Sequence, residues 1–106
     1  MRENEVIELL DEYSRAKKAL DGQACAIVRF KYHQEVEKIY RERVEEVESL
    51  LELLRPSKEF TLLYLHYAEG IPVEKCAEYM YVSRSTAYRI MKTAHKILRE
   101  VMEAEG

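Results

Sequence analysis

The chain has 106 residues, 47% of them hydrophobic, with 17 Lys and Arg against 20 Asp and Glu and a formal net charge of -3. That length holds one compact domain or a small domain with a helical appendage, and three Gly and two Pro among abundant Glu, Lys, Leu, Ala and Arg favour helix and leave no strand ladder. No run of 18 apolar residues, secretory core or lipidation box occurs, which argues against membrane insertion and an oxidising compartment; Cys25 and Cys76 are expected as free thiols and the cytoplasm as the location.

From Glu3 to Leu20 the residues Val6, Leu9, Leu10, Tyr13, Ala16 and Leu20 recur at helical spacing, and Asp21-Gly22 supplies a turn signal. Ala24 to Leu54 lacks Gly and Pro and aligns Val36, Tyr40, Val44, Val47, Leu51 and Leu54 on one face, flanked by Ile39 and Leu50. This predicts a second helix on the order of 45 Å long, with an apolar stripe that needs a partner. The first helix covers part of it in an antiparallel, coiled-coil-like hairpin, and a second subunit is a candidate for the rest. The charged run from Glu35 to Glu48 reads as a solvated face.

Arg55-Pro56-Ser57 breaks the pattern, because Pro disfavours helix at the preceding residue and Ser57 can cap the next one. The boundary is placed here, between an interaction region at 1–55 and a three-helix domain at 56–106. Phe60, Leu63, Tyr64 and Tyr67 mark a third helix that stops at Glu69-Gly70. Pro72 suits the first turn of a fourth, Val73 to Met80, with Ala77 at its centre and Cys76 and Ala77 facing the next helix. Ser83 caps a fifth helix from Arg84 to about Met102, whose apolar face is Ala87, Ile90, Ala94, Ile97, Leu98 and Val101. The fold class is all-α: a long N-terminal helical hairpin followed by three helices, the last two joined by the short corner Tyr81 to Ser83 that a helix-turn-helix requires.

Charge is segregated within this scheme. Residues 1–55 hold ten basic and thirteen acidic side chains, whereas Tyr79 to Arg99 holds Arg84, Arg89, Lys92, Lys96 and Arg99 and no acid. A recognition helix buries one face on its own domain and offers polar and basic side chains from its first turns to a groove about 12 Å wide. Arg84, Ser85, Tyr88 and Arg89 lie away from Ala87, Ile90 and Ala94 and are the expected base readers, Tyr88 toward a thymine methyl or a phosphate. Arginine can grip guanine O6 and N7 with two donors. Lys75, Thr86, Lys92 and Lys96 are placed for phosphate oxygens, which position a protein without specifying sequence.

Three segments carry a family resemblance: Leu-Leu-Tyr-Leu-His-Tyr-Ala-Glu-Gly at 62–70, Val-Glu-Lys-Cys-Ala-Glu-Tyr-Met at 73–80 and Val-Ser-Arg-Ser-Thr-Ala-Tyr-Arg-Ile at 82–90, followed by Ala94 and Leu98. Their ungapped spacing resembles the helix-turn-helix of bacterial sigma factor region 4. In that family the positions matching Arg84, Ser85 and Arg89 contact the promoter's upstream element. Ser85 stands where the family carries an acid, and Tyr81 where glycine is usual, a position strained for tyrosine at positive φ. The chain lacks the other sigma regions and is similar to small sigma-like regulators of phages and prophages. That resemblance implies control of transcription, with double-stranded DNA as partner and RNA polymerase as a candidate one.

Other chemistry finds no support. His33, His66, His95 and the cysteines lack metal-ligand spacing, and no phosphate loop or nucleophile elbow occurs, so no catalytic residue, metal or cofactor is expected. His66 is expected near the core and His95 beside the basic face. Tyr64, Tyr67, Tyr79 and Tyr81 read as packing between helices. Two other functions are compatible with the pattern: an adaptor that binds RNA polymerase or a sigma factor through the long helix, and a DNA-recognition subunit of the small terminase type in phage packaging.

Overall fold

The computed structural model describes residues 3–22 and 33–105. All regular structure among them is helical: α1 Glu3–Gly22, α2 His33–Glu52, α3 Lys58–Leu63 continuing as a single π turn Tyr64–Ala68, α4 Val73–Tyr79 and α5 Arg84–Glu105. The all-α class is as the sequence predicts. The expected start of the second helix, Ala24 to Tyr32, lies outside the described residues, as does the connection that would close the hairpin, and Cys25 with it.

Local signals place most helix ends. α1 runs through Asp21 and Gly22, slightly past the turn the sequence suggests, since a glycine marks a stop only to within a residue or two. α2 ends at Glu52, short of Leu54. Leu53 and Leu54 donate their N–H groups to the carbonyls of Leu50 and Leu51, three residues back, in the tightened turn that precedes Pro56. Ser57 caps α3, its hydroxyl accepting the Phe60 N–H at 3.0 Å. Gly70, at φ 73°, closes the π turn in the left-handed region glycine favours. Pro72 is the N-cap of α4, one position before the place predicted for it, and its carbonyl accepts from the N–H groups of Lys75 and Cys76.

One apolar cluster joins all five helices. Val6, Leu10, Tyr13 and Ala16 of α1 belong to it together with Val44, Val47 and Leu51 of α2, Leu62, Leu63 and Tyr67 of α3, Cys76 and Ala77 of α4, and Ala87, Ile90, Ala94 and Leu98 of α5. The core therefore runs across the break at 55–57. Cys76 is a free, buried thiol, its pKa raised by that burial. Among the described residues no helix is long and apolar enough to cross a membrane.

The charged face of α2 is largely solvated as expected, with Arg41 paired to Glu37 and Lys38 to Glu42 one turn apart. Glu48 departs from that pattern. Tyr13 Oη and Lys17 Nζ both donate to its Oε2 at 2.9 Å, and Arg43 reaches Glu12 at 3.3 Å, so polar bonds flank the apolar seam between α1 and α2. Burial, then Glu48, drives the Tyr13 phenol far above its ordinary range, and the bond to Glu48 raises Lys17.

The three-helix part holds a buried polar pair that the sequence reading misplaced. His95 is not beside the basic face: it is 7% exposed, and its Nε2 lies 3.0 Å from Tyr67 Oη. The reason is the breadth of the buried side of α5, where Met91 and His95 add a second row to Ala87, Ala94 and Leu98. Desolvation pushes the Tyr67 phenol up to about 12. His66 sits at the core's edge as expected, its Nδ1 bonded to the Ile71 carbonyl at 2.8 Å.

Candidate nucleic-acid interface

α4 and α5 meet at a corner whose hydrogen bonds follow from its sequence. The Met80 N–H bonds to the Cys76 carbonyl, Tyr81 N–H to Glu78 and Val82 N–H to Ala77, the pattern of a helix closed by one left-handed residue. That residue is Tyr81, at φ 57°. Val82 folds back onto the core, and Ala77, small and buried, lets α4 lie close to α5. Ser83 then opens α5: its hydroxyl accepts the Thr86 N–H at 3.1 Å and its carbonyl accepts from Ala87.

Tyr81 carries a side chain where glycine would be unstrained, and it is 95% exposed, so nothing within the described residues rewards the strain. A left-handed L-residue costs about 1–2 kcal/mol relative to its preferred conformation, partly offset in a Gly variant by the greater entropy of the unfolded chain. Tyr81→Gly is accordingly expected to stabilise the fold by about 0.5–1 kcal/mol, read as a rise in melting temperature of a few degrees. A lowered melting temperature would show that the ring makes contacts that outweigh the strain.

The two tyrosines at this corner overturn part of the packing expectation. Tyr67 is buried and Tyr64 half-buried, stacked on Phe60, but Tyr79 is 64% exposed and Tyr81 almost wholly so. On a seven-residue helix the apolar face is filled by Val73, Cys76 and Ala77, which turns Tyr79 outward.

The exposed side of α5 presents Arg84, Ser85, Tyr88, Arg89, Lys92 and Lys96, while Ala87, Ile90, Met91 and Ala94 point inward. Residues 84, 88 and 92, and 85 and 89, are four apart and so form one stripe. Arg84, Arg89, Lys92 and Lys96 have no ion pair among the described residues. The other members of the expected set are engaged. Thr86 is half-buried and accepts a hydrogen bond from Ser83 at 2.8 Å, Lys75 pairs with Glu78 at 3.3 Å, and the Tyr88 hydroxyl donates to Glu74 of α4 at 2.6 Å. That bond is the first cause lowering the Glu74 carboxyl and raising the Tyr88 phenol. Glu74 is a member of this surface that sequence reasoning missed, because nothing in linear spacing brings residues 74 and 88 together.

A short helix packed through small residues on the flank of a longer one, across a tight corner and beneath a solvent-facing cationic stripe, defines a helix-turn-helix DNA-binding domain. The chain belongs to the Mga helix-turn-helix domain family, which matches residues 40–103, more than half of its length. The matched segment begins within α2 and ends within α5, and so spans the break at 55–57. No curated protein and no solved structure gives a match.

Proposed function

We propose that the chain binds double-stranded DNA sequence-specifically and regulates transcription in the cytoplasm, without catalysis or cofactor. Arg84, Ser85, Tyr88 and Arg89 contact base edges, and Lys75, Thr86, Lys92 and Lys96 contact phosphates. The observation that carries the reading is the stripe itself: cations on the outer face of α5 that form no ion pair among the described residues and do not pack into the core. In a protein of net charge -3, such a concentration is suited to a polyanion. Residues 56–106 form the DNA-binding part, and 1–55 an interaction region through which the chain self-associates.

The spacing of 62–90 supports a finer version, a sigma region 4-like regulator of phage or prophage type with RNA polymerase as a second partner. Selection of bound duplexes from a random library tests the function directly. Arg89→Ala is then expected to weaken binding to the selected site by about 1–3 kcal/mol, the value of one bidentate base contact, with a much smaller loss on random duplex. Equal losses on both would contradict base reading by Arg89.

A further inference from the structure

Tyr88 shares the exposed stripe with Arg84 and Arg89, yet its hydroxyl is committed. The 2.6 Å bond to Glu74 Oε1 lies in the range of a charge-assisted O–H···O⁻ contact. A phenol has one proton to donate. With it directed at a carboxylate, the Tyr88 oxygen offers an incoming molecule only lone pairs, and ionised Glu74 is acceptor-only as well. Glu74 is fully exposed and its carboxyl is held below the ordinary range, first by Tyr88 and to a smaller degree by the charge of Arg84. The two side chains thus set an acceptor unit beside the cationic donors Arg84, Arg89 and Lys92.

Base edges divide by the same property. In the major groove guanine shows N7 and O6 and thymine shows O4, all acceptors, whereas cytosine N4 and adenine N6 carry amino donors. Phosphate oxygens only accept, and a carboxylate repels them. Resting on the DNA-binding reading above, we propose that Glu74 and Tyr88 act together as a specificity-determining acceptor pair, selecting the exocyclic amino group of a cytosine or an adenine at one position of the site. This replaces the phosphate or thymine methyl expected for Tyr88 from the sequence alone.

The test is selection from a random duplex library with the full chain as wild type, Tyr88→Phe and Glu74→Gln, with thermal melting of each. Wild type is expected to enrich one base pair at one position, G·C implying cytosine N4 and A·T implying adenine N6. It should lose that preference when the amino group alone is removed, as by purine in place of adenine. Both variants keep the rest of the site but lose discrimination there by about tenfold, within the range for one base contact. Glu74→Gln should also bind random duplex more tightly, because a like charge has been withdrawn from the phosphates. Variants that retain every wild-type preference, or a wild type that binds equally well when the amino group at that position is removed, overturn the acceptor role while DNA binding stands. So does a uniform loss of affinity with a lowered melting temperature, which would mark a strut between α4 and α5 and nothing more. Failure of wild type to enrich any sequence removes the DNA-binding reading itself, and the acceptor role with it.

Discussion

Charge reversal at both arginines of the stripe, Arg84→Glu with Arg89→Glu, is expected to lower duplex affinity at least a hundredfold while leaving the helical signal and thermal transition in place. The two effects separate because both side chains are exposed and neither has an ion pair among the described residues, so the fold gains little from their charge. On the bound side each arginine stands for a base contact of about 1–3 kcal/mol, and the new carboxylates add repulsion from the phosphates. A hundredfold corresponds to about 2.7 kcal/mol, well inside that sum. Anisotropy titrations on the selected site and on random duplex supply the reading, and neutralising Lys92 and Lys96, the residues assigned to phosphates, should instead flatten the slope of log affinity against log salt by about two. Unchanged affinity would remove α5 from the interface and favour an adaptor working through the long helix.

The second large effect concerns stability. Leu10→Ala is expected to cost about 2–5 kcal/mol, the usual range for emptying a fully buried leucine site, out of a total on the order of 5–15 kcal/mol for a domain of this size. Leu10 is 0% exposed and shares one cluster with Leu62 and Leu98, so a urea titration followed by circular dichroism should show a single transition moved to lower denaturant. A separate early transition, with α3 to α5 still folded, would show that the break at 55–57 divides the molecule energetically as well as in sequence.

That contrast shows what linear reading reveals. The starts of α3, α4 and α5 and the stop at Gly70 are legible because each rests on a local group: the Ser57 and Ser83 hydroxyls, the ring of Pro72 and Gly70 at positive φ. The far end of α5 is not, for the helix runs to Glu105, past the expected Met102. The outward stripe of α5 follows from helical period alone, and its members are exposed or half-buried where expected. What the sequence hid depends on a third element. The sequence pairs α1 with the second helix alone, whereas the buried face of α1 also packs on α3 and α5. His95 looks like a neighbour of Lys92 and Lys96 until the breadth of the buried side of α5 is known. Glu48 looks like one more surface acid until Tyr13 and Lys17 arrive from α1. The π turn at Tyr64–Ala68 has no composition signal at all, and the Glu74–Tyr88 bond spans an intervening corner.

The segregation of charge has a kinetic consequence. Residues 1–55 hold thirteen acids against ten bases, while the outer side of α5 is cationic, so the charge of the molecule is unevenly distributed although its total is negative. Such a distribution is expected to favour encounters in which α5 faces the duplex. Arrival rates should then fall steeply as added ions shorten the reach of that field, which is already about 8 Å at 0.15 M.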